Sequence, residues 1–387
     1  MTEILLCRSM AAGGRAVARL DDGRVVFVDG AAPGETVEAE ILADKGRFLE
    51  ARVVRVLEPS PQRVEPACAH FGDCGGCSWQ FLSHPAQLEA KRSILEDSLR
   101  RLARLESWPP IEIAAPASPW GGRNRAQFQP PSLPGRPWGF FAAGTRRTVE
   151  LSQCPVLAPE LQGVWAELSK RGADPLAGRR DRSAFAWGGQ GRRWVRGPGD
   201  PSGEPAQVEV AGKILRFSVD GFFQSHLGML PRMVEEVVGE GRGDEAWDLY
   251  SGVGLFAAHL EDRYGIVHAV ESDPSAARYA PGNLSRAVHH RSGVEDWLEE
   301  RARTGMGAGP DFVVVDPPRQ GMTTRAISAL VSLRPRTVRY VSCAHDTLCR
   351  DLRHFLTNSF HLDRIVLMDL YPHTPHMEVV VSLHHDP

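Results

Sequence analysis

From Val17 to Val56 short apolar runs alternate with turn residues. Val17-Ala18-Arg19-Leu20 gives way to Asp21-Asp22-Gly23, Val25-Val26-Phe27-Val28 to Asp29-Gly30, and Val37-Glu38-Ala39-Glu40-Ile41 follows. Asp-Gly steps between alternating runs are hairpin signals, and short strands without helices hide their edges best by closing on themselves. The pattern therefore predicts a small β-barrel over residues 1–58. Pro59, Pro61 and Pro66 then break it and mark a linker. Ser83-His84-Pro85 reads as a helix start, with Leu88, Leu95, Leu99 and Leu102 on one stripe. That spacing turns Lys91, Arg92, Arg100 and Arg101 toward solvent or a partner, and the helix ends before Pro109-Pro110.

From Asp220 onward buried runs alternate with helical stretches. The strands are Ala246 to Tyr250, Ile266 to Val270, Phe312 to Val315, Val338 to Val341, Ile365 to Met368 and Val379 to Val381. This alternation predicts a mainly parallel sheet covered on both faces, with ligands at the carboxyl ends of its strands. The fold class is α/β: a Rossmann-like domain at 216–387, an OB-like barrel at 1–58 and a central domain at 59–215.

Composition adds limits. The 387 residues are 42% hydrophobic and 24% charged, a globular balance. No run approaches the roughly 20 apolar residues of a membrane span, and no signal-peptide pattern opens the chain. The expectation is a cytoplasmic monomer. A net charge of −3 means that any basic surface is local.

Seven cysteines, an odd number and partly clustered, point to metal binding or catalysis before disulfides. Cys68, Cys74 and Cys77 need a fourth ligand, and Cys154 is the candidate. Gly75-Gly76 lets backbone wrap closely round a bound centre. Spacing leaves zinc and an iron-sulfur cluster both open. Between and beyond these cysteines, Arg123, Arg125, Arg136 and Arg146-Arg147 are interleaved with Phe128 and Trp138. Arg179-Arg180, Arg182 and Arg192-Arg193 accompany Phe185, Trp187 and Trp194. Guanidinium groups pair with phosphates and flat rings stack on unpaired bases, so the mixture suits RNA; DNA is not expected.

The candidate chemistry lies in the last third. Ser251-Gly252-Val253-Gly254 follows a strand, and Glu271 stands about 20 residues on, the arrangement in which backbone approaches a ligand and an acid takes ribose hydroxyls. The third glycine of the pyrophosphate fingerprint is missing, which favours S-adenosylmethionine. Cys343 closes a buried strand just before a helix start at Asp346-Thr347, a setting that lowers a thiol pKa and makes a nucleophile. Asp316-Pro317-Pro318-Arg319 ends another strand, and Glu378 stands before the last one as a possible base. A thiolate, a methyl donor and a base suit uracil C5: the thiolate adds to C6, C5 takes the methyl group, and a carboxylate removes the C5 proton.

With these residues in order, the chain resembles the RNA 5-methyluridine methyltransferases along most of its length. The resemblance is carried by the four cysteines, Phe222-Phe223-Gln224, Asp248 to Gly254, Glu271, Asp316 to Arg319, Ser342-Cys343, and Pro372-His373-Thr374 with His376 and Glu378. Gly14 to Ala18, Val26 to Gly30 and Pro33-Gly34-Glu35 resemble the TRAM domain attached to some RNA-modifying enzymes. The resemblance implies a [4Fe-4S] cluster on Cys68, Cys74, Cys77 and Cys154. It implies S-adenosylmethionine on Gln224, Tyr250, Glu271 and Asp316, with Cys343 as nucleophile and Glu378 as base. Members with both TRAM domain and cluster typically act on large-subunit ribosomal RNA, which implies 23S rRNA; transfer RNA is the alternative substrate. Two departures stand out: Ala344-His345 replaces the usual Asn-Pro after Ser-Cys, and His226 replaces the asparagine common two residues after Phe-x-Gln. They motivate a further alternative, an RNA-binding or assembly protein that keeps the fold without the chemistry.

Overall fold

The computed structural model describes residues 1–133, 135–171, 183–197, 204–304 and 309–385. Arg179, Arg180 and Arg182, and part of the Gly/Pro-rich stretch at 188–205, lie outside the described residues.

The first unit is a six-stranded sheet of β1 (Thr2–Leu6), β2 (Ser9–Met10), β3 (Ala16–Arg19), β4 (Val25–Asp29), β5 (Thr36–Asp44) and β6 (Phe48–Glu58). Their order is β1-β5-β6-β4-β3-β2, and only the β4–β6 pairing is parallel. Alternation along β4, with Val26 and Val28 inside and Val25 and Phe27 more exposed, curls the sheet round its own core. β1 and β2, at opposite edges of the sheet, are strands that the Val17–Val56 pattern did not include.

Helix α1 (His84–Arg101) then crosses the molecule. Its buried face is Gln87, Ala90, Lys91, Ile94, Leu95, Ser98 and Leu99, while Leu102 caps the helix and is exposed. The leucine stripe therefore misplaces two residues: Lys91 is fully buried and Leu102 is not. The cause is a long-range ion pair that helical periodicity cannot register, since Lys91 Nζ lies 2.6 Å from Asp369 Oδ1.

The middle of the chain forms small sheets: β7 (Ile111–Ala114), β8 (Arg125–Phe128), β9 (Gly139–Phe141), β10 (Thr148–Glu150), helix α2 (Pro159–Arg171), β11 (Ala184–Gly189), β12 (Arg192–Arg196), β13 (Ala206–Val210) and β14 (Lys213–Phe217). β8, β11 and β12 pair antiparallel, as do β9 with β10 and β13 with β14.

The remainder is α3 (Leu230–Val238), β15 (Gly243–Leu249), α4 (Ala257–Leu260), β16 (Tyr264–Val270), α5 (Pro274–Ala277), α6 (Ala280–Asn283), β17 (Val288–His290), α7 (Val294–Thr304), β18 (Phe312–Val315), α8 (Thr324–Ser332), β19 (Thr337–Ser342), α9 (His345–Leu356), β20 (Phe360–Met368) and β21 (Glu378–His385). The eight-stranded sheet runs β17-β16-β15-β18-β19-β21-β20-β7. Five consecutive strands, β17 to β19, are parallel, and β21 is inserted antiparallel between β19 and β20. β7, from the middle of the chain, pairs with β20 and so extends the C-terminal sheet. One contiguous core joins barrel residues such as Leu5 and Val37, α1 residues such as Leu95, and sheet residues such as Leu249 and Val381.

Candidate active site

Topology alone gathers the chemistry-bearing residues at one rim. Leu249 pairs with Val270 and Val315, and Val315 with Tyr340, so Tyr250, Glu271 and Asp316 all leave adjacent strands at their carboxyl ends. Ser342 pairs with Val379; one step further, that register sets Cys343 opposite Glu378. The antiparallel insertion of β21 thus brings the last strand's first residue to the rim where the parallel strands finish.

The glycine loop is shaped by its backbone. Tyr250 has φ +62°, Gly252 +56° and Gly254 +92°. A side chain on Gly254 would also strike Leu284. Gly252 N–H donates to Glu271 Oε2 at 2.8 Å, and Asp273 N–H to Glu271 Oε1 at 2.6 Å. The acid therefore steadies the loop with both oxygens and keeps lone pairs for a ligand. The helix expected after the loop is only the single turn α4, and Asp248 Oδ2 accepts from Ala257 N–H at its start. Burial pushes the Asp248 carboxyl up to about 8, with Asp316 and Glu271 adding to the rise.

Two buried polar atoms of this loop have no partner, Asp248 Oδ1 and Ser251 Oγ, and Gln224 Oε1 is likewise buried and unpartnered. Unsatisfied buried groups are costly, about 1–3 kcal/mol each, so the pair in the strained glycine turn fits a polar ligand such as the amino-acid and nucleoside parts of S-adenosylmethionine.

Cys343 is half-buried in the turn between β19 and α9. Ser342 Oγ closes that turn, accepting from Ala344 N–H at 3.1 Å and lying 3.0 Å from the Ala344 carbonyl oxygen. The sequence implied a depressed thiol pKa; the structure gives the opposite. Burial pushes the Cys343 thiol up to about 11, Glu378 and Asp316 add to the rise, and only Arg319 works against it. Burial likewise raises Glu378 well above the usual carboxylate range, helped by Asp316, and raises Asp316 to about 7 with help from Glu271. Burial and mutual repulsion therefore oppose ionisation of the thiol and of both acids.

The loop at 369–376, which leads into Glu378, is pinned at several points. His373, at φ +65°, accepts on its carbonyl oxygen from Ser78 N–H and Trp79 N–H, donates its own N–H to Gln87 Oε1 at 2.7 Å, and stacks on Trp120 at 3.8 Å between centroids. Lys91 Nζ also donates to the Tyr371 carbonyl at 3.1 Å. Arg319 and Tyr371 had no role in the sequence reading. Their signal lies in electrostatics, since Tyr371 feels Glu378, Cys343 and Asp316 together. A cleft of about 750 Å³ opens onto Cys343 between the barrel, the end of α1 and the Pro375–Met377 segment.

Cys68, Cys74, Cys77 and Cys154 share one neighbourhood. Cys74 and Cys77 pack against the cluster that contains Cys154, and Cys68 acts electrostatically on the other three thiols. Gly76 N–H approaches Cys74 Sγ at 3.4 Å, and a side chain on Gly75 would crowd the Phe141 carbonyl. Among the described residues, no group of three or more His, Cys, Asp or Glu side chains is disposed to hold a metal ion. Nor is any helix among them long and apolar enough to cross a membrane.

Residues 310–386 match the family model described as tRNA (Uracil-5-)-methyltransferase, and residues 8–54 match the TRAM domain. An RNA methyltransferase of Bdellovibrio bacteriovorus with no assigned substrate is 32% identical over 97% of this chain and 93% of its own. The 23S rRNA (uracil(1939)-C(5))-methyltransferase RlmD of Salmonella choleraesuis is 31% identical over 95% of this chain and 93% of its own. Among solved structures, the Pyrococcus abyssi tRNA (uracil-54, C5)-methyltransferase bound to S-adenosyl-L-homocysteine shares the fold, with TM-score 0.73 and 23% identity over 99% of this chain and all of its own.

Proposed function

The chain belongs to the RNA uracil-C5 methyltransferase family, and from that premise we propose how its own residues methylate a uridine of RNA at C5. The observation that carries the reading is the β19–β21 register, which sets Cys343 against Glu378 at the rim where Tyr250, Glu271 and Asp316 also end. Cys343 is the nucleophile and Glu378 the base. Gln224, Tyr250, Glu271 and Asp316 hold S-adenosylmethionine, which supplies the methyl group when bound.

In this reading the Cys343 thiol loses its proton to solvent with help from Arg319, and its sulfur forms a bond to uracil C6. The electron pair moves to C5, which bonds to the methyl carbon while the electrons of the methyl–sulfur bond stay on the donor's sulfur, so that a neutral thioether leaves. Glu378, acting as its carboxylate, takes the C5 proton; the C5–C6 double bond re-forms, and the C6–S bond breaks to return the thiolate. A buried carboxylate of raised pKa suits this last step, because it holds the proton it receives. The uracil must leave its stack to reach a thiol in a strand-to-helix turn.

Cys68, Cys74, Cys77 and Cys154 are proposed to hold a [4Fe-4S] cluster, supported by four thiols in one neighbourhood with Gly76 N–H pointing at a sulfur. Methyl transfer to an activated C5 needs no electrons, so the cluster's part here is to shape the loop that holds the His373 carbonyl. Residues 1–58, 59–215 and 216–387 are taken as barrel, cluster and catalytic domains of a cytoplasmic monomer. The proposed substrate is 23S rRNA, supported by the full-length likeness to RlmD together with the TRAM match.

Glu378→Gln is the direct test. It should accumulate a covalent protein–RNA adduct that requires both Cys343 and S-adenosylmethionine, seen as a band resistant to denaturing electrophoresis. An adduct that persists with Cys343→Ala overturns the reading. Labelled methyl transfer to unmodified 23S rRNA and to transfer RNA transcripts, followed by mapping of the modified nucleotide, decides the substrate.

A further inference from the structure

A second concave site adjoins the Cys343 cleft. It is a cavity of about 450 Å³ between the Gly75-Gly76 turn, β8 and the Leu370–His376 loop, and it shares Arg319 and His376 with the cleft. Arg123, Arg125 and Arg319 line it. Arg125 Nε is buried without a partner. Arg125 donates to the Asp220 backbone carbonyl at 3.4 Å, and the Asp220 carboxylate pairs with Arg196 while acting on Arg125 from a distance. Three guanidinium groups thus converge on one cavity.

His226 forms part of the same wall. The ring is 6% exposed, and both its nitrogens are buried with no hydrogen-bond partner. Burial lowers its basicity, so it is a neutral imidazole with one donor and one acceptor to offer. The ring packs closely against Gly122, where any side chain would collide with it. Phe222, 66% exposed, and Tyr371 supply flat faces at the same cavity. Two orphaned polar atoms on one ring, beside three converging guanidinium groups and the exposed ring of Phe222, match the parts of a nucleotide: a base edge, a phosphate and a stacking surface.

We infer that this cavity binds an RNA nucleotide flanking the target uridine, its phosphate held by Arg123, Arg125 and Arg319 and its base edge read by His226. The target itself is excluded, because Cys343 does not line this cavity while Arg319 and His376 form the wall common to both. The inference rests on the uracil-C5 reading above for the identity of the neighbouring cleft.

The test uses the full-length holoprotein and a 23S rRNA fragment carrying the mapped uridine, with RNA and S-adenosylmethionine binding measured separately. His226→Phe should weaken RNA binding about tenfold, leave S-adenosylmethionine binding within about twofold, and abolish discrimination at one flanking position in a single-substitution RNA series. Arg125→Gln should lower the slope of log K against log salt by about 0.7, the loss of one phosphate contact on a single strand. If the Phe variant does not fold, the Arg125 slope still decides. A folded His226→Phe that binds RNA like wild type, or that loses S-adenosylmethionine instead, overturns the inference, as does an unchanged salt slope for Arg125→Gln. Wild type that binds RNA but never methylates uracil C5 refutes the earlier reading alone, and the binding measurements still judge the cavity.

Discussion

At the residue scale the acidity of Cys343 is a competition between desolvation and charge. Burial raises the thiol first, Glu378 and Asp316 raise it further, and Arg319 is the opposing group. A helix N-terminus normally favours a thiolate, but here the turn is too enclosed and too acidic for that effect to prevail. The sign of each substitution follows. Removing the Arg319 charge should move the thiol's ionisation further above about 11, and removing the Glu378 charge should move it down. The rate of iodoacetamide alkylation at Cys343, followed by peptide mass spectrometry from about pH 8 to about pH 11, reads this directly. Arg319→Gln should slow alkylation several-fold at every pH below the midpoint, and Glu378→Gln should speed it. Equal profiles for wild type and Arg319→Gln would mean that the guanidinium does not act on the sulfur. Cys343, Asp316 and Glu378 were legible in the sequence because each sits in a motif at a strand end. Their protonation states were not, because those depend on which acids the sheet order brings side by side.

At the scale of the element, α1 shows where periodicity fails. Its leucines predict a helix correctly, yet the residue that ties it to the rest of the molecule is Lys91, which the same pattern places outside. Asp369 receives Lys91 Nζ at 2.6 Å and His84 Nε2 at 2.8 Å, and both partners come from α1. Burial pushes the Asp369 carboxyl up, but these two partners overcome it and hold it below the usual range; burial also lowers Lys91 against the pull of Asp369. The two groups meet as a hydrogen-bonded pair in the interior, and Gln87, one turn from Lys91, grips His373 in the loop that leads to Glu378. Lys91→Met should cost about 3–5 kcal/mol in denaturant unfolding, since it leaves a buried carboxylate without its closest cation. Lys91→Met combined with Asp369→Asn should recover most of that loss. If the double variant is as unstable as the single one, the cost lies in packing and not in the orphaned charge. The short strands β7 and β17 also escaped the sequence reading. Ile111-Glu112-Ile113 has strand alternation but follows two prolines, and only its pairing with β20 gives it a place.

For the molecule as a whole, the question is whether the barrel is an appendage or part of the catalytic unit. Its strands were legible from turn residues and alternation, and a boundary at residue 58 follows naturally from the prolines beyond it. Packing tells a different story from chain punctuation. Leu5, Val37 and Ala39 of the barrel belong to the same apolar cluster as Leu95 of α1 and Tyr340, Val379 and Val381 of the catalytic sheet. Trp79, fully buried, donates its indole N–H to the Gly14 carbonyl at 2.9 Å, while its backbone N–H holds His373. The ideal side chain of a residue at Gly14 would press on both Trp79 and Pro375, so this turn lies against the loop that carries Glu378. Glu35, also fully buried, is paired with Arg63 of the proline-marked linker. A chain lacking residues 1–58 would expose one side of this shared core, take the Glu35 carboxylate from Arg63 and leave the Trp79 indole N–H without its acceptor, whereas domains joined only by a linker separate at little cost. Deletion of residues 1–58 should therefore yield a protein that aggregates or melts far below the full chain, with methyl transfer lost even to short RNA substrates that need no extra binding module. Thermal melts and light scattering of the two proteins side by side give the answer. A truncated chain that stays monodisperse, melts cooperatively near the full-length temperature and methylates a short RNA would show that the barrel is an independent RNA-binding appendage.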